Sequence, residues 1–145
     1  VGSRNINGSV RDVLAPRCHV IGIDMIAGDG VDIVMNAHDL LKHFKPASFE
    51  LVTCCETIEH DDNFWVTIDN LKKLVKPGGY LFLSAPGINF FKHDFPSDYY
   101  RFTEEAFRDV FFKDWEDVYV ENYTDSNSEY VNKPNNIIGW ARKPE

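Results

Sequence analysis

The chain has 145 residues, a size that suits one domain burying roughly 70% of its unfolded surface. With 43% apolar and 26% charged residues it reads as a soluble globular protein, and no apolar run is long enough to span a membrane. The formal net charge of −8 argues against a nucleic-acid backbone as the main partner, and three cysteines without a CxxC pair argue against a zinc knuckle or a thioredoxin-type site. Reduced thiols and the lack of a signal-peptide pattern predict a cytoplasmic protein, with the oligomeric state left open.

Residues 2–8 form a polar loop with glycine at each end, and Ser9 is placed to cap a short helix running to Leu14. His19 to Ile23 reads as a buried strand ending on an acid, Asp24. A turn follows at residues 27–30, then a third apolar stretch over 31–35. Residues 36–48 are irregular, with one helical turn around 40–43. Residues 49–54 predict a strand. Asp61 or Asp62 then caps a helix to Leu74, with Phe64, Ile68, Leu71 and Val75 at helical spacing. Pro77-Gly78-Gly79 ends that helix, and residues 80–85 are the next strand. Thr103 caps a helix over 104–112, residues 115–123 and 137–142 are the last two strands, and residues 125–136 form a polar loop between them. Strands separated by helices predict an α/β fold with a mostly parallel, doubly covered sheet. The last two strands lack an intervening helix, so they predict an antiparallel hairpin. The whole chain reads as one domain.

Several polar groups fall at strand ends, where open α/β sheets bind ligands. Gly2 and Gly8 bracket a loop that opens a helix, which suits a close approach to a ligand or, equally, an ordinary turn. The spacing is not GxGxxG, which weighs against a nicotinamide-dependent oxidoreductase. Asp24 lies about twenty residues after Gly2, a separation at which a strand-end carboxylate accepts both hydroxyls of a ribose. Asn36-Ala37-His38-Asp39 can read the edge of an adenine or simply form a polar turn. In the string CCETIEH, His60 is a candidate general base, while Glu59 and His60 also read as groups that fix the loop and helix start. His93, Asp94, Asp98, Tyr99, Tyr100 and Arg101 read as a substrate-pocket wall or as a lid held by its own aromatic packing. Glu59, His60, His93 and Asp94 are metal-ligand types, but no His pair at i,i+4 accompanies them and no metal is expected.

The strings GIDMIAGDGVDIVMNAHDLL, FELVTCCETIEH, LKKLVKPGGYLFLSAPG and HDFPSDYYRFT cover nearly all of residues 1–112. In them the chain resembles the class I methyltransferases that use S-adenosylmethionine, and most of all their small type 11 branch. The resemblance implies a Rossmann-like sheet with a reversed C-terminal hairpin. It also implies methyl transfer from S-adenosylmethionine to an O or N nucleophile of a small-molecule acceptor. By position, Gly2, Ser3 and Gly8 would underlie the methionine part of the cofactor, Asp24 would hold the ribose, and Met25 would pack beside the adenine. Asn36 and Ala37 would contact the adenine edge, and Cys55 and Glu56 would lie near the sulfonium. Residues 93–101 would face the acceptor, with His60 and His93 as candidate catalytic bases. Asn36 and Glu50 stand where the family usually has Asp. The family's first strand, which runs into the glycine loop, is missing apart from Val1, so the sequence reads as cut at its front edge. That gap motivates an alternative, a catalytically silent module that binds cofactor weakly or not at all.

Overall fold

A computed structural model describes residues 1–6, 8–93, 96–124 and 133–145 of the chain. Helix α1 (Val10–Leu14) is followed by strands β1 (Ile23–Asp24) and β2 (Ile33–Val34), a short helix α2 (Leu40–His43) and strand β3 (Phe49–Cys55). Helix α3 (Phe64–Leu74) leads into β4 (Val75–Pro86), and the hairpin strands β5 (Glu116–Thr124) and β6 (Asn135–Arg142) close the chain. Strands β1 and β2 pair in parallel. A separate sheet has the order β3-β4-β6-β5, with β3 and β4 parallel and β6 antiparallel to both neighbours. The expected mostly parallel arrangement with an antiparallel terminal pair is therefore present.

The larger sheet follows from alternation. In β6 Asn135, Ile137, Gly139 and Ala141 all point inward, and in β4 Leu81, Leu83 and Ala85 are fully buried. Helix α3 lays Ile68, Leu71 and Leu74 over this core. Residues 77–79 do more than stop the helix: the β3–β4 register shifts between Phe49↔Val75 and Leu51↔Tyr80 to let them loop out.

Several elements depart from the sequence expectation: the stretch over 31–35 pairs only at Ile33–Val34 and leaves Val34 exposed, and β4 starts at Val75 rather than at residue 80. The strand expected over residues 19–23 shrinks to Ile23–Asp24 because the Asp32 carboxylate takes the Gly22 N–H at 2.6 Å, replacing a ladder partner with a side chain. Helix α3 begins at Phe64 rather than at Asp61 or Asp62; Asp61 instead accepts from the Asn63 N–H (2.9 Å), Thr67 Oγ1 (2.5 Å) and His38 Nε2. The helix expected over 104–112 is π-wound across Ala106–Phe111, with the Phe112 N–H donating to the Phe107 carbonyl at 2.9 Å. Phe107 and Phe111 of this turn and Phe112 just after it are all buried in the core.

No strand lies between the two sheets among the described residues. Residues 1–3 thread that seam: the Val1 nitrogen donates to the Thr53 carbonyl of β3 at 2.7 Å, and the Ser3 N–H donates to the Ile23 carbonyl of β1 at 3.0 Å. Loop and strand ends are thereby drawn together at one edge.

Candidate functional site

The C-terminal ends of β1 and β3 converge on the loop formed by residues 2–4. Gly2 has a φ of +66°, and a Cβ there would fall 1.8 Å from Thr57 Oγ1, so only glycine lets this loop pass over the β3 end. Gly22 is equally tight: a Cβ would sit 2.0 Å from the Gly30 carbonyl oxygen and 2.8 Å from Ser3 Oγ. The half-buried Asp24 is aimed by two backbone donors, the Arg4 N–H to Oδ2 (3.1 Å) and the Ile26 N–H to Oδ1 (3.0 Å). Each carboxylate oxygen keeps a lone pair for a further donor. Beside it, Ser3 Oγ is buried without a hydrogen-bond partner.

The next strand end follows at once. The Met35 N–H donates to the Asp24 carbonyl (2.9 Å), which sets Asn36 next to the acid. Asn36 Oδ1 is engaged by the His38 N–H at 2.8 Å, leaving its Nδ2 as the group available to a ligand. Asn70 Nδ2, from α3, donates to both the Ala37 and His38 carbonyls at 3.0 Å and pins this turn. Met25 is 65% exposed, free to lie over a planar ligand. Gly8 is not brought to the crevice: it is exposed, has no neighbour in reach of a Cβ, and its N–H donates to Asn5 Oδ1 at 2.9 Å.

At the end of β3, Glu56 adopts a φ of +46°, unusual for a residue with a side chain. It is held there by the Ser84 hydroxyl on its Oε1 (2.7 Å) and by its own N–H on the Ser84 carbonyl (3.0 Å). Burial pushes the Glu56 and Cys55 pKa values up, and that of the fully enclosed Cys54 to about 12.

A second cluster adjoins this one on the 3₁₀ turn Ile58–His60. The Glu59 carboxyl is fully buried and neither oxygen has a hydrogen-bond partner. Burial first, then the neighbouring Glu56, pushes its pKa up to about 8. His60 Nε2 lies 3.5 Å and His93 Nε2 3.6 Å from Glu59 Oε1, and the two rings meet edge to face at 4.9 Å. His60 Nδ1 is fixed on the Ser97 carbonyl at 2.5 Å. Asp98 accepts the His93 N–H at 2.7 Å and both guanidinium arms of Arg101 at 2.5 and 2.6 Å, and Arg101 holds its pKa well below the usual range.

Of the residues expected to face an acceptor, His93 and Asp98 belong to this cluster, and Asp94 lies outside the described residues. Arg101 spends its remaining N–H groups on the carbonyls of Phe90, Phe91 and Tyr100, so it organises the loop and has none left to clamp an anion. The Tyr100 hydroxyl donates to the Asp62 carbonyl (3.1 Å) with its ring on Phe64, whereas Tyr99 exposes 53% of its surface. Sequence reasoning missed Asn70, Thr67 and Asp61 as supports of the crevice wall. Asn70 and Thr67 sit in the middle of a helix, where only their burial marks them.

Comparison with known proteins fits this geometry. The profile of the family described as "Methyltransferase domain" matches residues 7–123. A ubiquinone biosynthesis O-methyltransferase of Paraburkholderia phytofirmans is 34% identical over 80 residues, 46% of this chain and 34% of its own length. The protein of the same name from Ralstonia nicotianae is 40% identical over 59 residues, 41% of this chain and 25% of its own. The matches thus span about a third or less of these curated relatives. Among solved structures, a SAM-dependent methyltransferase from Archaeoglobus fulgidus aligns with a TM-score of 0.67 at 17% identity, over 85% of this chain and 75% of that one. Phosphoethanolamine N-methyltransferase 2 of Haemonchus contortus, solved with S-adenosyl-L-methionine, aligns at 0.57 and 18% identity over 77% of this chain and 36% of that one. Likeness at such identities speaks to the fold alone, and the fold agrees with the profile: this chain belongs to the methyltransferase-domain family.

Proposed function

We propose that the protein binds S-adenosylmethionine in the crevice between β1 and β3 and transfers its methyl group to an oxygen or nitrogen of a small-molecule acceptor. The observation that carries this reading is Asp24, a strand-end carboxylate aimed by the glycine loop's own Arg4 N–H. The residues present fit the cofactor. Asp24 suits a ribose diol, Asn36 Nδ2 an adenine edge, and the orphaned Ser3 Oγ beside Gly22 needs a polar partner. Cys55 and Glu56 close the β3 side of the crevice.

When bound, the sulfonium supplies the methyl group and leaves as a neutral thioether. The chain's task is to align the acceptor, exclude water and receive a proton. His60 and His93, half-buried around Glu59, are placed to receive it. The curated relatives' names favour a hydroxyl acceptor.

Calorimetry with S-adenosylhomocysteine tests the reading. Micromolar binding is expected for the parent, with a loss of about tenfold or more in Asp24→Ala. If the parent does not bind, or both proteins bind alike, the assignment fails and the silent-module alternative gains.

A further inference from the structure

We propose that Glu59, His60 and His93 form a divalent-cation site of the zinc type at the mouth of the crevice. The three ligand atoms lie within 4.8 Å of one another, and Glu59 Oε1 is 3.5 and 3.6 Å from the two Nε2 atoms. Those separations are too long for a hydrogen bond. They are close to the roughly 3.3–3.4 Å that separates neighbouring ligands on a tetrahedral ion with bonds of about 2.0–2.1 Å.

The second observation is independent of the spacing. Glu59 is 0% exposed, yet both of its oxygens lack a hydrogen-bond partner. A buried carboxylate without partners is costly, and proteins rarely leave one. The nearby guanidinium of Arg101 donates no hydrogen bond to it, because its N–H groups are committed to Asp98 and to backbone carbonyls.

His60 is backed as metal ligands usually are. His60 Nδ1 is anchored on the Ser97 carbonyl, which turns Nε2 toward Glu59. His93 Nδ1 makes no hydrogen bond but lies 3.4 Å from the buried Asp98 carboxylate, and its Nε2 is the atom nearer Glu59. Two nitrogens and one carboxylate oxygen suit zinc or a neighbouring first-row ion, and suit magnesium or calcium poorly. The sequence offered these three as metal-ligand types without a reason to join them, because they come from two segments rather than from one helix face.

Three protein ligands leave a coordination position open. Within the methyl-transfer reading, and resting on it, that position takes the acceptor's oxygen. With the ion bound, a hydroxyl acceptor held there would give its proton to water, and its oxygen would take the methyl as the methyl–sulfur bond breaks; His60 and His93 then serve as ligands, and act as bases only in the metal-free protein.

The test uses chelator-stripped protein carrying Cys18→Ser, which removes the exposed thiol beside His19. It is titrated with Zn²⁺ by calorimetry and with Co²⁺ by visible absorption. Expected are stoichiometric uptake, ligand-field bands without thiolate charge transfer, and weakening by roughly 100-fold or more in Glu59→Gln and in His93→Ala. In unsubstituted protein, the His60 and His93 ring resonances should shift on Zn²⁺ addition, which covers the case of a variant that does not fold. No uptake, uptake indifferent to both substitutions, or a thiolate band overturns the site. Asp24→Ala should keep its zinc while losing S-adenosylhomocysteine, so failure of the metal site and failure of the cofactor reading are read separately.

Discussion

Glu59 makes the metal-free protein lose stability as pH rises. Its carboxyl keeps a proton in the folded state up to about pH 8, against an ordinary value of 4.5 that applies once the chain unfolds. Between those values the folded state binds the extra proton, so unfolding releases it and stability falls with increasing pH. Enclosure is the main cause. The charges of Glu56 and Asp98 add to it, the charge of Arg101 opposes it, and His60 and His93 face the group from either side. From pH 5.5 to pH 8 the carboxyl alone should remove about 3 kcal/mol, roughly 6–12 °C in Tm for a chain of this size. Glu59→Gln keeps the shape and discards the titration. Urea unfolding of both proteins in a chelating buffer, at half-unit steps across that range, should therefore give a falling curve for the parent and a flatter one for the variant. Two parallel curves would refute the reasoning, and would mean that water or loop movement already solvates this carboxyl.

Other expectations follow from single contacts. Gly2→Ala forces a Cβ into Thr57 at a positive φ, so it should cost about 2 kcal/mol by chemical denaturation and also weaken S-adenosylhomocysteine binding. Arg101→Met strands the buried Asp98 carboxylate and should cost about 3 kcal/mol, with proteolytic nicking rising in the segment between Phe90 and Phe102. Among the thiols, Cys18 should react with a disulfide reagent in native protein, while Cys54, enclosed and with its pKa pushed up to about 12, reacts only on unfolding; mass spectrometry of the labelled peptides decides this. Asn70→Leu removes both donors that pin the turn after β2 and should lower stability by about 2 kcal/mol.

What the sequence revealed and what it hid have a common cause. The strands of the larger sheet were legible because they are short, mostly apolar runs bounded by turn residues, and in β4 the run is buried at nearly every position from Leu81 to Pro86. Asp24 was legible because its separation from Gly2 is set by one turn of loop, helix and strand, a local distance along the chain. The short β1 was not, since the Asp32 carboxylate competes for the Gly22 N–H from ten residues away. Nor was the π-wound turn, which answers to the aromatic cluster of Phe64, Phe102, Phe107 and Phe111 and not to helix propensity.

The cluster around Glu59 shows the limit most sharply. In sequence, Glu59-His60 reads equally as a loop anchor, and His93 stands 33 residues further on with no periodic relation to them. Only the fold joins them. Arg101 locks Asp98, Asp98 takes the His93 N–H, and the Tyr99 N–H fastens the same loop to the Glu59 carbonyl at 2.8 Å. The Arg101–Asp98 pair thereby spends two charged groups that the sequence offers as possible substrate contacts. The loop after β4 therefore uses its charged residues mainly to hold two imidazoles against one buried carboxylate, and the chemistry of the crevice mouth depends on what that trio holds between its nitrogens and oxygen.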